Sequence, residues 1–153
     1  MDPYFNLFNI ERRQDGYVLS GKLRPGSYPI PGNVSSQFIT GLMFALPLLD
    51  DDSEITVESP LESKPYIDLT LHVLKTFGIN IISALDGYYI PGKQKYRPCV
   101  YTVEGDESAA AFWRVANALG SDITCKGLNP DSLQGDRVIC DIIKNDARDI
   151  DVR

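Results

Sequence analysis

The chain has 153 residues, a formal net charge of −6, and 43% hydrophobic and 24% charged side chains. That length can bury a sizeable core, and no tract is biased enough to suggest disorder or a fibre. The acidic balance argues against a nonspecific nucleic-acid binder, whose partner demands a basic surface.

The longest mainly apolar stretch, Phe38 to Leu49, is too short to span a bilayer, and the N-terminus carries no basic-then-apolar leader pattern. Cys99, Cys125 and Cys140 have no CxxC spacing and suggest neither a disulfide framework nor a zinc site. A cytoplasmic chain with no metal and no membrane partner is expected.

In chain order, Tyr28-Pro29-Ile30-Pro31-Gly32 reads as a strand running into a turn. Serines follow at 35 and 36, and Phe38, Leu42 and Leu46, at i, i+4 and i+8, predict the buried stripe of a helix. Ser53 to Val57 alternates as a short strand does. Glu62-Ser63-Lys64-Pro65 opens a second helix, with proline in its first turn and Ile67, Leu71 and Leu74 on its buried face. Gly78 is placed to end that helix in a left-handed cap, and Asp86-Gly87 between apolar runs predicts a β-hairpin. Together these make a βαβαββ unit.

The same landmarks return roughly 70 residues later. Tyr101 to Gly105 corresponds to Tyr28 to Gly32, Ser121 to Cys125 to the strand at Ser53, and Asp131-Ser132 to Glu62-Ser63. Helices are expected over Ser108 to Leu119 and Gly135 to Lys144, and the chain stops where a second hairpin should follow. The expected fold is therefore α/β (α+β), with one complete βαβαββ unit and one truncated unit. An unfinished sheet should be poorly ordered or should pair with another copy of the chain.

Two turns gather groups that could hold a ligand. At Gly32-Asn33-Val34-Ser35-Ser36-Gln37, backbone N–H groups, two hydroxyls and an amide converge where a strand ends and a helix begins. Such a point suits a phosphate, because the helix dipole adds partial positive charge and neutral donors need no lysine. The competing reading is an N-cap pair with no ligand. At the equivalent turn of the second helix stand the Ser63 hydroxyl, the Lys64 ammonium and the Tyr66 phenol. Capping by Ser63 and packing by Tyr66 are the alternatives there. Strand-to-helix turns along one sheet edge are where α/β proteins collect ligand groups.

The third turn, Glu104-Gly105-Asp106-Glu107-Ser108, carries three carboxylates that would repel a phosphate. A helix cap, a hinge or acid/base chemistry are the roles open to it. His72, mid-helix with no metal-binding partner at i+4, reads as a partly exposed helix residue, and Lys93, Lys95 and Arg97 as a solvated basic loop.

Four segments, Pro31 to Phe38, Leu61-Glu62-Ser63-Lys64-Pro65-Tyr66-Ile67-Asp68, Val103-Glu104-Gly105-Asp106 and Ser132-Leu133-Gln134-Gly135-Asp136, closely resemble in this order the 3-phosphoshikimate 1-carboxyvinyltransferase (EPSP synthase) family. The resemblance implies the enolpyruvyl transferase fold, an inside-out α/β barrel of two domains, each built from three βαβαββ units. Residues 1–100 would belong to the domain that binds shikimate 3-phosphate, and 101–153 to the crossover and the truncated start of the second domain. The implied reaction moves the enolpyruvyl group of phosphoenolpyruvate to shikimate 3-phosphate and releases phosphate, with no cofactor and a monomeric parent.

Ser35, Ser36, Gln37, Ser63 and Tyr66 would be the substrate-binding residues. Catalytic residues stay unassigned, because the family's phosphoenolpyruvate clamps and acid/base groups lie largely outside this stretch. The isolated chain is expected to be inactive and to self-associate, if at all, through its unfinished unit. Two alternatives stay open: a fragment like the sister transferase acting on UDP-N-acetylglucosamine, whose reactive-cysteine loop has no visible counterpart here, and a noncatalytic anion-binding module.

Overall fold

In a computed structural model of the chain, residues 9–33, 35–58, 60–61 and 64–146 are described. The ordering principle of residues 27–97 is alternation. In strand β3 (Ser27–Ile30), Tyr28 and Ile30 point inward while Ser27 and Pro29 face solvent. In β6 (Gly87–Ile90), Tyr88 and Ile90 are the buried pair. Between them lies β4 (Ser53–Val57), with Ile55 wholly buried, and at the far edge lies β5 (Ile82–Ala84).

The sheet order is β3-β4-β6-β5; β3 runs parallel to β4, while β6 is antiparallel to both β4 and β5. Proline at position 29 is tolerated because β3 is an edge strand and needs no ladder donor on its outer side. Two helices, α1 (Ser36–Ala45) and α2 (Lys64–Thr76), join β3 to β4 and β4 to β5. They close a core of Ile30, Ile39, Met43, Leu46, Ile55, Ile67, Leu74, Ile79 and Ile90, among others. The expected βαβαββ order is thus present from β3 to β6.

The buried stripe of α1 differs from the one expected. Phe38 is 51% exposed, whereas Ile39, Met43 and Leu46 are fully buried and Leu42 only packs against the core. Residues spaced i and i+8 diverge by about 80° around a helix, while i and i+7 diverge by about 20°. The 39-43-46 set therefore presents the tighter stripe to the sheet. In α2 the expectation holds, with Ile67 and Leu74 buried and Leu71 packed beside them.

Gly78 ends α2 as expected, with φ of 83°. The Gly78 N–H reaches the Lys75 carbonyl at 3.0 Å, and the N–H of the buried Ile79 reaches back to Leu74 at 2.9 Å. This is a glycine C-cap sealed by an apolar contact. The hairpin also forms, with Leu85-Asp86 as its two-residue loop and Ala84 opposite Gly87. Glycine is required at 87 because a Cβ there would lie 1.9 Å from the carbonyl oxygen of Ile55.

After β6 the chain returns across its own unit. The Lys93 and Gln94 N–H groups donate to Leu49 and Pro47, and the Gln94 side chain both accepts from and donates to the backbone of Asn80. Arg97 N–H then donates to Phe77 at 2.8 Å. Lys93 and Lys95 stand exposed on this strap, as the sequence suggested.

Before the sheet, β1 (Asn9–Arg13) and β2 (Gly16–Ser20) form a separate antiparallel hairpin whose strands are almost wholly exposed. Beyond residue 101, α3 (Glu107–Ala118) and α4 (Ile139–Asp146) occupy the two expected helical stretches, the second preceded by a 3-10 turn (Gly135–Val138). The expected strands at 101–105 and 121–125 are not formed. Gly105 N–H donates to the Gly127 carbonyl at 2.7 Å, but the side chain of Asn117 takes both backbone groups of Ile123, at 2.8 Å each. Two short segments without a further partner bury too little to hold a ladder. The architecture is mixed α/β, with two sheets and four α-helices among the described residues. None of those helices is long and apolar enough to cross a membrane.

Candidate functional site

Because β3 and β4 are parallel and each feeds a helix, α1 and α2 both begin at the same edge of the sheet. Of the residues singled out in the sequence, Ser35, Ser36, Gln37 and Tyr66 lie at these two helix starts; Ser63, like Glu62 and Val34, lies outside the described residues.

Ser35 is the N-cap of α1, its extended backbone (φ −50°, ψ 131°) turning the chain into the helix. Its Oγ accepts from the Gln37 N–H at 3.4 Å. The capping role weighed against anion binding is therefore real, but the two are compatible. A serine hydroxyl that accepts one hydrogen bond keeps its own proton to donate. No acidic residue occupies the first turn of α1, so no residue within that turn offsets the positive end of the helix dipole. Ser35 and Gln37 are exposed and Ser36 half-buried.

At the start of α2, Lys64 is paired within its own helix. Its Nζ donates to both carboxylate oxygens of Asp68, at 2.7 and 2.6 Å, and this pairing raises the pKa of the ammonium. The pair is solvent-exposed, so its worth is small. Tyr66 is half-exposed, and its hydroxyl donates to Asp136 Oδ2 at 3.1 Å. That hydrogen bond, reinforced by the negative charge of Asp136, raises the phenol pKa.

The carboxylates of the third turn all have partners. Asp106 caps α3, accepting from the N–H groups of Ser108 and Ala109 at 2.8 and 3.3 Å. Glu107 is 1% exposed and paired with Arg114. Glu104 accepts from Ser132 Oγ at 2.7 Å and Gln134 Nε2 at 2.9 Å, and these bonds lower its pKa. Gln134 also donates to the Gly105 carbonyl and accepts from the Glu107 N–H, both at 2.9 Å. Of the three roles left open for this turn, the geometry favours the cap. His72 is exposed on α2, as expected.

An open groove of about 430 Å³ lies beside these elements but is a different place. It runs between Val57, Leu61 and Lys64 on one side and Asp86 and Tyr88 on the other, and includes none of Ser35, Ser36, Gln37 or Tyr66. Residue-by-residue reading of the sequence missed the meeting of Asp136 and Ser108 at Tyr66. The one signal pointing there was the Gln134-Gly135-Asp136 segment, which stood out as a motif without a role.

Comparison with known proteins places the chain in a family. The model of the family described as EPSP synthase (3-phosphoshikimate 1-carboxyvinyltransferase) matches residues 10–153. Curated proteins named 3-phosphoshikimate 1-carboxyvinyltransferase are similar over nearly the whole chain. The Clostridium acetobutylicum protein is 47% identical over 99% of this chain and 37% of its own length. The Clostridium kluyveri protein is 48% identical over 95% and 36%, and the Clostridioides difficile protein 42% identical over 98% and 36%. The chain thus spans little more than a third of the length of these relatives.

Proposed function

From the premise that the chain belongs to the EPSP synthase family, we propose that it carries the phosphate-holding part of a shikimate 3-phosphate site. The longer parent would be a cytoplasmic transferase moving the enolpyruvyl group of phosphoenolpyruvate to shikimate 3-phosphate, with release of phosphate. Residues 1–100 are read as part of the domain that binds shikimate 3-phosphate, and 101–153 as the crossover and the truncated start of the second domain.

The observation that carries the reading is the start of α1. Ser35 and Ser36 supply hydroxyls and Gln37 an amide in one helical turn that carries no acidic residue of its own. A phosphate ester there accepts from backbone N–H and hydroxyl donors, at the end of the helix that favours negative charge. Tyr66, at the start of α2 on the same edge, and Ser63, which lies outside the described residues, are read as the rest of the pocket. Enolpyruvyl transfer also needs groups that move protons and stabilise an anionic transition state, and no residue is assigned to these tasks here. The chain by itself is expected to give no measurable turnover in a phosphate-release assay.

Calorimetric titration tests the reading. Shikimate 3-phosphate should bind the chain, shikimate should bind far more weakly, and a Ser35→Ala, Ser36→Ala double variant should lose the preference for the phosphate ester while keeping its circular dichroism spectrum. Equal binding of the two ligands by the unmodified chain would remove the phosphate assignment.

A further inference from the structure

Asp136 closes the motif Ser132 to Asp136, yet the pocket described above gives it no role. It stands 70 residues along the chain from Tyr66, and one of its oxygens serves two hydroxyls at once. Oδ2 accepts from Tyr66 Oη at 3.1 Å and from Ser108 Oγ at 2.7 Å. Hydrogen bonds to an ionised acceptor are the stronger kind. A phenol has a single proton, so a Tyr66 that donates to Asp136 meets a ligand with its ring face and its oxygen lone pairs.

The backbone is seated to match. A Cβ on Gly135 would lie 3.0 Å from Cβ of Pro65, so the turn carrying Asp136 rests against the first turn of α2, directly before Tyr66. The Tyr66 ring is half-exposed, and the hydrogen bond to Asp136 gives its hydroxyl a fixed acceptor.

We infer that Asp136 is a positioning residue: with Ser108 donating to the same oxygen, it accepts the hydrogen bond of the Tyr66 phenol and fixes the direction in which that hydroxyl faces a ligand bound at the starts of α1 and α2. The inference rests on the reading of that site as a phosphate-ester pocket. The raised phenol pKa, caused first by the Asp136 hydrogen bond and then by its charge, agrees with it. Asp106 acts on the phenol in the same direction.

Two measurements on the full 153-residue chain test it. In the first, tyrosine ring carbons are labelled and the Tyr66 signal, assigned by its absence in Tyr66→Phe, is followed through the phenol titration. The midpoint should fall toward that of an ordinary tyrosine in Asp136→Asn. In the second, calorimetry with shikimate 3-phosphate should show a loss of about tenfold in affinity for both Asp136→Asn and Tyr66→Phe, with the double variant no worse than either. Gly135→Ala keeps every polar group but crowds Pro65, and should weaken binding in the same direction.

An unchanged Tyr66 titration in Asp136→Asn would overturn the inference. So would a double variant whose loss is the product of the single losses, which is how two independent sites behave. If the unmodified chain binds no shikimate 3-phosphate, the pocket reading fails, while the titration of the unliganded chain still decides whether Asp136 holds Tyr66.

Discussion

Residues 27–97 and residues 101–146 are held together by different physics. The first region has a continuous apolar core, every member of which lies between Tyr28 and Ile90. In the second, the buried residues are Glu107, Ala110 and Ser132, and what binds its turns is a web of side-chain hydrogen bonds through Glu104, Gln134 and Asn117. Phe112, Trp113 and Leu119 meanwhile face solvent. Apolar burial is nondirectional and survives changes of pH, whereas a polar web works only while each donor meets its acceptor. Stability should therefore be uneven along the chain.

The largest effect that would sharpen this contrast is expected at the centre of the sheet. Ile55→Ala removes a fully buried side chain between β3 and β6 and should cost about 2–5 kcal/mol, seen as a lower midpoint in urea for the whole first region. A loss of only a few tenths would mean that the core is not the principal source of stability.

Next comes Glu107→Gln, which breaks the pair with Arg114 at a buried position. A cost of about 1–3 kcal/mol is expected, confined to faster amide exchange in α3. Spread of the effect into α1 or β4 would show that the two regions unfold as one.

Acidification should separate them without mutation. The hydrogen bonds from Ser132 and Gln134 hold the Glu104 pKa below the ordinary carboxylate range. Its contribution to stability is therefore present above the unfolded-state pKa and disappears as pH falls through the lower folded-state value. Asp52 in the first region is lowered in the same way, by Tyr89 and the Gly92 N–H. Both links weaken together, yet amide exchange should accelerate first around 104–107 and 132–134, because only the first region retains an apolar core when they are gone. Simultaneous loss of protection in both regions would contradict this.

The smallest effect is expected at Phe112, 77% exposed on α3. Phe112→Ser should change stability by no more than about 0.5 kcal/mol in thermal melts, whereas a large loss would reveal a covering partner for that face.

The same contrast governs what could be read beforehand. In the first region, period-two alternation, the Gly78 stop and the Asp86-Gly87 turn announced β3 to β6 in order, since each is a local signal that the core reinforces. The error on α1 was one of phase, Phe38 in place of Ile39, because apolar residues occupy both stripes and only the sheet chooses between them. The hairpin of β1 and β2 was overlooked although Asp15-Gly16 carries the same turn signature as Asp86-Gly87. In the second region the repeat match of 101–105 to 28–32 and the alternation at 121–125 suggested strands, but a strand needs a partner, and Asn117 takes up the backbone groups of Ile123 instead. At the candidate site the serine turn was legible because its donors are consecutive. The Tyr66 and Asp136 pair was not, since nothing local encodes a meeting across 70 residues.

The strap at 91–97 gives the first region a property of its own. By tying Lys93 and Gln94 to Leu49 and Pro47, and Arg97 to Phe77, the chain fastens the exit of the βαβαββ module back onto its own middle before it leaves. A module laced shut in this way carries its own clasp. Proteolysis within 98–103, beyond the last of these ties, should release a piece that stays folded, and a module that closes on itself can be copied or joined to another without unravelling.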